Sequence, residues 1–481
     1  MSLLNEENKE RKSKYQELED KLVSKKKSAW EQFTDLQRKE VFSLCKNYKS
    51  FLDKAKTERE AVREIELIAK NSGFTKMDDA KGHLESGAKL YDIYRNKNAA
   101  LVIVGKKPIS DGVRIIISHV DSPRLDLKPH PLYEDSELAM LKTHYYGGIK
   151  KHQWADRPIS LHGVVLTKDG KNVEIVIGES QDDPVFVISD LAIHLSRNSQ
   201  DKRSARGILK GEEMNIIAGN IPVKDEKVKQ KVKLAVLEHL YDKYGIVEED
   251  FASAEIEAVP AEKARDIGFD RAFVGAYGHD DKSGVFSSLS AACSVKQPEH
   301  TTIVLFIDKE EIGSLGNTSA SAPYLEHVIA RLSCLCGDGK QCKDVREILM
   351  ESWAISLDVS NAVNPTFKNL HDVHNSFFAG FGVSFHMYTG AGGKYYSSHA
   401  SCEYAGTMRK MFNDRKIPWQ PGEDCKVDEG GGGTLAIHFS RYGMDVIDVN
   451  IPVLGIHSPF EVVSKADIFS AYLVSLAFLE S

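Results

Sequence analysis

Cysteine is scarce in this chain: seven among 481 residues, an odd number at low density. That excludes a disulfide framework and points to reduced thiols in a cytoplasmic compartment. Cys334, Cys336 and Cys342 form a small cluster. A structural zinc site takes four ligands in paired C-x2-C spacings, which this cluster lacks, so the three read as loop thiols. Long apolar runs are missing too. The most apolar stretch, 468–479, is shorter than the ~20 residues of a membrane span and contains Ser470, Tyr472 and Ser475. The charged N-terminus has no apolar signal-peptide core, so no membrane partner is expected. No basic excess exists: 63 Lys and Arg stand against 70 Asp and Glu, a net charge of −7. Nucleic acid is thereby excluded as a main partner. Neither a G-x-S-x-G elbow nor an H-E-x-x-H helix occurs, which removes the serine-hydrolase and single-zinc helix readings. The run Gly430 to Gly433 is followed by Thr434 and Leu435 rather than Lys-Ser/Thr, so it is no phosphate loop. It reads as a turn or a close backbone approach.

What is present is ordinary globular composition, 42% apolar and 28% charged, with length for about two to four domains. Residues 1–72 read as helical, uninterrupted by Gly or Pro before Gly73. They dock through Trp30, Phe33, Val41, Phe42, Leu44 and Phe51, which recur at helical spacing. Apolar, β-branched runs follow. Ala99–Val104 and Val113–Ile117 flank a turn-rich KKPISDG and predict a hairpin. Further strands are expected at Thr301–Ile307, Trp353–Leu357 and Val446–Leu454, with helical segments between them. A last helix starts at Ser464, with Asp467 three residues on in a capping-box position. Strands alternating with helices predict an α/β fold with a largely parallel sheet. Residues 132–269 differ, with short runs at Ser160–Leu166, Val173–Val176 and Val185–Ile188 and a charged helix near Asp225–Tyr244. They read as a second domain inserted into the first.

Four acidic or histidine sites share one feature. His119 with Asp121, Glu310 with Glu311, Asp358, and His457 each sit just past the end of an expected strand. Open α/β sheets bind ligands outside the carboxyl ends of their strands, so all four would meet at one edge. Asp280 and Asp281 of GHDDKSG add two carboxylates, which could equally cap the helix that starts there. Together these residues supply what two adjacent divalent cations need: a bridging carboxylate, one His and one carboxylate per ion, and a spare carboxylate. Imidazole with carboxylate suits zinc, with cobalt or manganese as alternatives. In His-x-Asp, a carboxylate beside a ligand imidazole fixes its tautomer.

Several segments carry a family resemblance: SHVDSPRLDLKPHP (118–131), YGG (146–148) with WADRPISLHGVV (154–165), DLAIHL (190–195), KGEEMNIIAGN (210–220), GHDDKSG (278–284), DKEEIGS (308–314), SLDVSNAVNP (356–365), DEGGGGT (428–434) and PVLGIHSPFEV (452–462). In that order they resemble the aminopeptidase I / aspartyl aminopeptidase family of dizinc metallopeptidases, from about residue 75 to the C-terminus. The resemblance implies a three-layer αβα catalytic domain, residues 1–131 and 270–481, with a mainly β dimerisation domain inserted at 132–269. It implies that His119, Asp280 and Asp358 hold one metal, and that Glu311, His457 and the shared Asp280 hold the other. Asp281 is the weaker match to the bridging position. Asp121 would orient His119, and Glu310 would be the general base acting on a water between two zinc ions. The implied activity is removal of N-terminal amino acids from peptides with a free amino terminus. The implied assembly is a cytoplasmic homo-oligomer, a dodecamer built from dimers, in which His194 reaches a neighbouring active site.

One departure bears on substrate choice. In the acid-preferring branch of the family, the metal-binding aspartate is followed at the third position by His, and a downstream Lys serves acidic side chains. Here the matching positions are Asn361 and His386, so neutral or broad specificity is expected, with His386 a substrate contact. An aminoacylase or carboxypeptidase-type dizinc hydrolase usually places the bridging Asp ~30 residues after the first His, a spacing typical of such sites rather than a rule. Here 161 residues separate His119 from Asp280, which favours the aminopeptidase. A catalytically silent oligomeric scaffold would have lost a ligand type or the base, and none is missing.

Overall fold

The computed structural model describes residues 12–24, 26–336 and 344–481. Cys342 lies outside them, as do Met1 to Arg11 of the expected helical segment. The protein is built on two sheets. In the larger one, four neighbouring strands run parallel: Thr302–Ile307, Arg114–His119, Trp353–Ser356 and Asp445–Leu454. Their side chains alternate between faces, as strand geometry requires. Ile303, Leu305 and Ile307 enter one apolar core, while Val304 and Phe306 enter the other. Both faces are therefore covered, which explains the unbroken apolar runs. Helices Asp35–Lys54, Glu58–Asn71, His279–Ser294, Cys402–Asp414 and Lys465–Leu479 pack on one side. Tyr324–Cys336, Val345–Met350 and Ala436–Phe439 pack on the other, completing three αβα layers. No helix among the described residues is long and apolar enough to cross a membrane.

Several sequence expectations are corrected. The sheet is mixed rather than largely parallel, because antiparallel pairings flank the parallel centre. Residues 99–117 form no hairpin. Strands Asn98–Ile103 and Arg114–His119 both pair with Thr302–Ile307, which lies between them. A connection of ten residues is long enough to step over an intervening strand, and the apolar run of 302–307 is best buried centrally. Asp467 does not cap its own helix. Its carboxylate accepts from the Gly380 and Gly382 amides at 2.6 and 2.7 Å. The insert's boundaries also move. Its six-stranded sheet runs from Arg124–Asp135 to Glu255–Pro260, so residue 132 falls inside its first strand. At the other end, Arg265–Ile267 already pairs with Phe273–Ala276 in the larger sheet. The charged helix is Lys231–Tyr244, shorter than its charge pattern suggested. Residues 185–188 supply only isolated bridges.

The N-terminal part consists of Lys14–Leu22, Ala29–Gln32, Asp35–Lys54 and Glu58–Asn71, with breaks between. Phe33, Val41 and Phe51 are buried as expected, while Phe42 stays largely exposed. Helix Glu58–Asn71 bolts the insert to the larger sheet through charge. Glu58 meets Lys97 at 3.0 Å and Arg124 at 3.6 Å, Arg59 meets Glu255 at 2.8 Å, and Arg63 pairs with Glu174. Glu60 lies 2.7 Å from Nδ1 of the buried His162, whose Nε2 lies 3.2 Å from Glu179. Burial alone would lower the His162 pKa, but the Glu179 and Glu60 carboxylates override it and hold it above its ordinary value. A raised imidazole stabilises fully below about 6.5, and that share is lost as pH rises through the folded value. His162→Gln is therefore expected to lower unfolding free energy by about 2 kcal/mol at pH 6 and by clearly less at pH 9, measured by urea denaturation. Equal losses at both pH values would contradict the charged state assigned to His162.

Candidate active site

The four parallel strands end at one edge of the sheet, and each delivers part of the site. Arg114–His119 ends in His119; Thr302–Ile307 leads to the turn Glu310–Ile312; Trp353–Ser356 leads to Asp358; Asp445–Leu454 leads to His457. A fifth strand, Phe273–Ala276, is reached through two antiparallel pairings, which restore the same direction. It delivers Asp280. The convergence expected from the sequence is thus present for His119, Asp121, Asp280, Glu310, Glu311, Asp358 and His457.

Asp280 is central. Its Oδ1 lies 3.0 Å from His119 Nε2 and its Oδ2 lies 3.1 Å from His457 Nε2. Asp358 Oδ1 approaches His119 Nε2 at 3.5 Å, and Glu311 Oε2 approaches His457 Nε2 at 3.4 Å. Two trios, His119–Asp280–Asp358 and His457–Asp280–Glu311, therefore share one carboxylate. Asp281 also lies near His119 and Asp358. Both its oxygens, however, accept backbone amides, from His119 at 3.2 Å and Gly284 at 3.0 Å. The donors lying within 4.8 Å of one another are His119–Asp281–Asp358 and His119–Asp280–Glu311; Glu310 belongs to neither, and His457 joins through its contacts with Asp280 and Glu311.

Surrounding contacts fix the imidazoles. Nδ1 of His119 faces the Asp121 carbonyl at 3.1 Å and its carboxylate at 3.3 Å, and Nδ1 of His457 faces the Gly148 carbonyl at 2.8 Å. Carbonyls only accept, so both Nδ1 atoms carry protons and both Nε2 atoms face the cluster. Asp121 also accepts from the Tyr146 hydroxyl at 2.8 Å and from the Glu310 and Glu311 amides, each at 3.2 Å. Glu461 accepts from the His457 amide at 2.7 Å with one oxygen and from the Asp280 amide at 3.1 Å with the other. Sequence reasoning assigned no role to Tyr146, Gly148 or Glu461. Glu461 sits four residues after His457 in PVLGIHSPFEV, which is its only signal. A carbonyl such as that of Gly148 leaves none.

The electrostatics explain what the pocket demands. Burial, with Asp358, Asp121 and Asp280 nearby, pushes the Glu310 carboxyl up to about 8 against the pull of His119. Burial and the neighbouring Asp280 raise Glu311 well above the carboxylate range. Burial opposes a charged His457, yet Asp280 and Glu311 hold it up to about 10. Glu310 and Glu311 keep protons and the imidazoles gain them, while Asp280 and Asp121 are held ionised by the histidines beside them. Divalent cations answer the same demand, and the donors fit them. Glu311 Oε1 is buried with no hydrogen-bond partner, and the His and carboxylate donors suit zinc.

Comparison with known proteins decides the family. Residues 51–479 match the family described as aminopeptidase I zinc metalloprotease (M18). The chain belongs to this family. A Clostridium acetobutylicum relative, a probable M18 family aminopeptidase 1, is 44% identical over 463 residues, covering 96% of this chain and 99% of its own. The crystal structure of an M18 aminopeptidase from Thermotoga maritima superposes with a TM-score of 0.90 at 42% identity, covering 95% of this chain and 99% of that one. The S. cerevisiae mApe1 dodecamer shares the fold at 21% identity and a TM-score of 0.72, covering 90% of this chain and 95% of that one. The protein is thus a metal-dependent aminopeptidase with the α/β architecture of its family.

The two expected substrate contacts lie apart from the cluster. His194 is exposed on the short helix Ile193–Ser196. His386 is buried, with Nε2 2.9 Å from Ser384 Oγ and Nδ1 4.0 Å from Asp424. It lines a cavity of about 40 Å³ with Tyr388, Glu423 and Asp424. The glycine run supplies a close approach as expected: at Gly431 (φ +126°) a Cβ would lie 2.1 Å from the Gly390 carbonyl oxygen.

Gly147 makes the cluster's packing testable. Its φ is +74°, and a Cβ there would sit 3.2 Å from Glu311 Oε2. Gly147→Ala is expected to weaken zinc binding by about tenfold, the usual scale for disturbing a ligand's support, as read by chelator competition. Unchanged affinity would show that this loop does not hold Glu311.

Proposed function

We propose that the site holds two divalent cations, most simply zinc, and removes N-terminal residues of neutral or broad character from peptides with a free amino terminus. The sharing of Asp280 between the His119–Asp358 and His457–Glu311 trios carries this reading. When bound, the pair of ions supplies Lewis acidity that lowers the pKa of water and polarises a carbonyl. The protein's own groups do the rest. Asp121 holds His119 with Nε2 forward and anchors the turn that carries Glu310. Glu310, outside both trios, takes a proton at its carboxylate and returns it to the leaving amine. Burial first, and the surrounding acids after it, raise its pKa and favour a proton there; bound cations would lower it again. The carboxylates around the site would also receive the substrate's α-ammonium group, selecting a free amino terminus.

Specificity is supported by the cavity at His386. Burial holds its imidazole below the ordinary value despite Asp424 nearby, so it is neutral at physiological pH. Lys394 and Lys426 share the lining with Glu423 and Asp424, so the cavity carries no excess positive charge that would select an acidic side chain. Assembly into a dodecamer of dimers, through the insert at 124–260, forms part of the same reading. Exposed Leu191, Ile193 and Leu195 around His194 suit a contact with a neighbouring subunit, and a dodecamer shares the fold. A cytoplasmic location fits the low cysteine content.

Glu310→Gln is expected to retain both metals by elemental analysis while kcat falls by about 10²–10⁴, the usual range for removing a general base. Parallel loss of metal and turnover would make it a ligand instead. Turnover of Leu-, Lys- and Glu-p-nitroanilide at pH 7.5 tests specificity: Leu and Lys substrates should both exceed Glu. A dominant Glu rate would overturn the neutral or broad assignment.

A further inference from the structure

The first turn of helix His279–Ser294 is not helical. Asp280 has φ −79° and ψ 107°, and Asp281 has φ −113° and ψ 31°. The helical hydrogen-bond ladder therefore does not hold Asp280 in place, and its position must be fixed from outside. Glu461 accepts its amide at 3.1 Å, and Ser122 Oγ donates to its carbonyl at 2.5 Å. The residue before it, His279, is clamped from both ends. Nε2 lies 3.1 Å from the Val274 carbonyl, and Nδ1 lies 2.6 Å from the Tyr48 hydroxyl. The carbonyl can only accept, so Nε2 carries the proton and Nδ1 accepts from Tyr48. Both side chains are fully buried. Tyr48 comes from helix Asp35–Lys54, which contributes no residue to the cluster itself.

We propose that Tyr48 is a positioning residue for the metal centre. Through His279, its hydroxyl fixes the non-helical turn that aims Asp280 between His119 and His457. The N-terminal helix is then a working part of the site rather than only a cover for the apolar core. This inference rests on the reading of Asp280 as the shared ligand. It differs from a packing role, because Tyr48 also touches Phe286, with ring centroids 5.2 Å apart, and Tyr48→Phe would keep that contact. Phe51 on the same helix packs on Phe286 at 5.7 Å without reaching His279, so Phe51→Leu disturbs packing alone.

The test titrates metal-free, full-length protein with Co2+, following visible absorption and stoichiometry, with thermal unfolding in parallel. Tyr48→Phe is expected to weaken one of the two Co2+ binding steps by about tenfold and to alter its visible band. His279→Gln, which keeps a donor toward Val274 but has no acceptor at the Nδ1 position, should match it. The double variant should be no worse than either, as for two residues acting through one bond. Phe51→Leu should lower Tm and leave Co2+ affinity unchanged. Wild-type affinity in Tyr48→Phe, or an equal loss in Phe51→Leu, would overturn the proposal. Should Tyr48→Phe not fold, His279→Gln decides on the same criterion. Asp280→Asn separates the two readings. If it still binds two ions normally, the shared-ligand assignment is wrong; if it loses binding while Tyr48→Phe does not, only the role of Tyr48 is wrong.

Discussion

Negative charge confined away from water is the constraint around which this site is arranged. Asp121, Asp280, Asp281 and Asp358 are buried within a few ångströms of two imidazoles, and Glu310 and Glu311 close the group. Such groups repel one another strongly where solvent cannot screen them. Without opposing charge the cluster would protonate or splay. Its geometry is kept by contacts that leave little freedom: backbone amides on Asp121, Asp281 and Glu461, and carbonyls on the two Nδ1 atoms. Each donor atom is thus held in place by the fold itself, the condition under which binding a cation would cost least reorganisation.

That preorganisation comes from several parts of the chain. The parallel strands bring His119, Asp358, His457 and the Glu310–Glu311 turn to a common edge. The insert adds Tyr146, Gly147 and Gly148 from the end of strand Leu138–Tyr146, so it touches the chemistry directly as well as forming its own sheet. Helix Glu58–Asn71 ties the insert down through charged pairs. Helix Asp35–Lys54 reaches the turn before Asp280. A movement of the insert would therefore be felt at Glu311 and His457, because Gly147 packs on one and Gly148 bonds to the other.

Much of this was legible in residue order. The runs at 302–307, 353–356 and 445–454 are largely apolar because both sheet faces are covered, and such runs announce strands without any partner. Acid and His residues placed just beyond them announce a site at the carboxyl edge. Pairing was not legible. Two strands joined by a turn-rich link look like a hairpin, and only the burial of 302–307 between them shows otherwise. Asp467 looked like a helix cap because spacing cannot reveal that Gly380 and Gly382, more than eighty residues away in sequence, offer it two amides.

By itself, the sequence determined the residue types of the His and carboxylate cluster, the strands that carry them and the presence of a distinct middle region, since these depend on local hydrophobic pattern and side-chain chemistry. Tertiary structure alone decided which strand lies between which, that Asp281 is held by backbone amides while Asp280 faces both imidazoles, and that Tyr146, Gly148 and Glu461 contact the cluster. Those outcomes depend on distances of a few ångströms between segments far apart in the chain, and on backbone groups that every residue possesses, so no pattern of side chains encodes them.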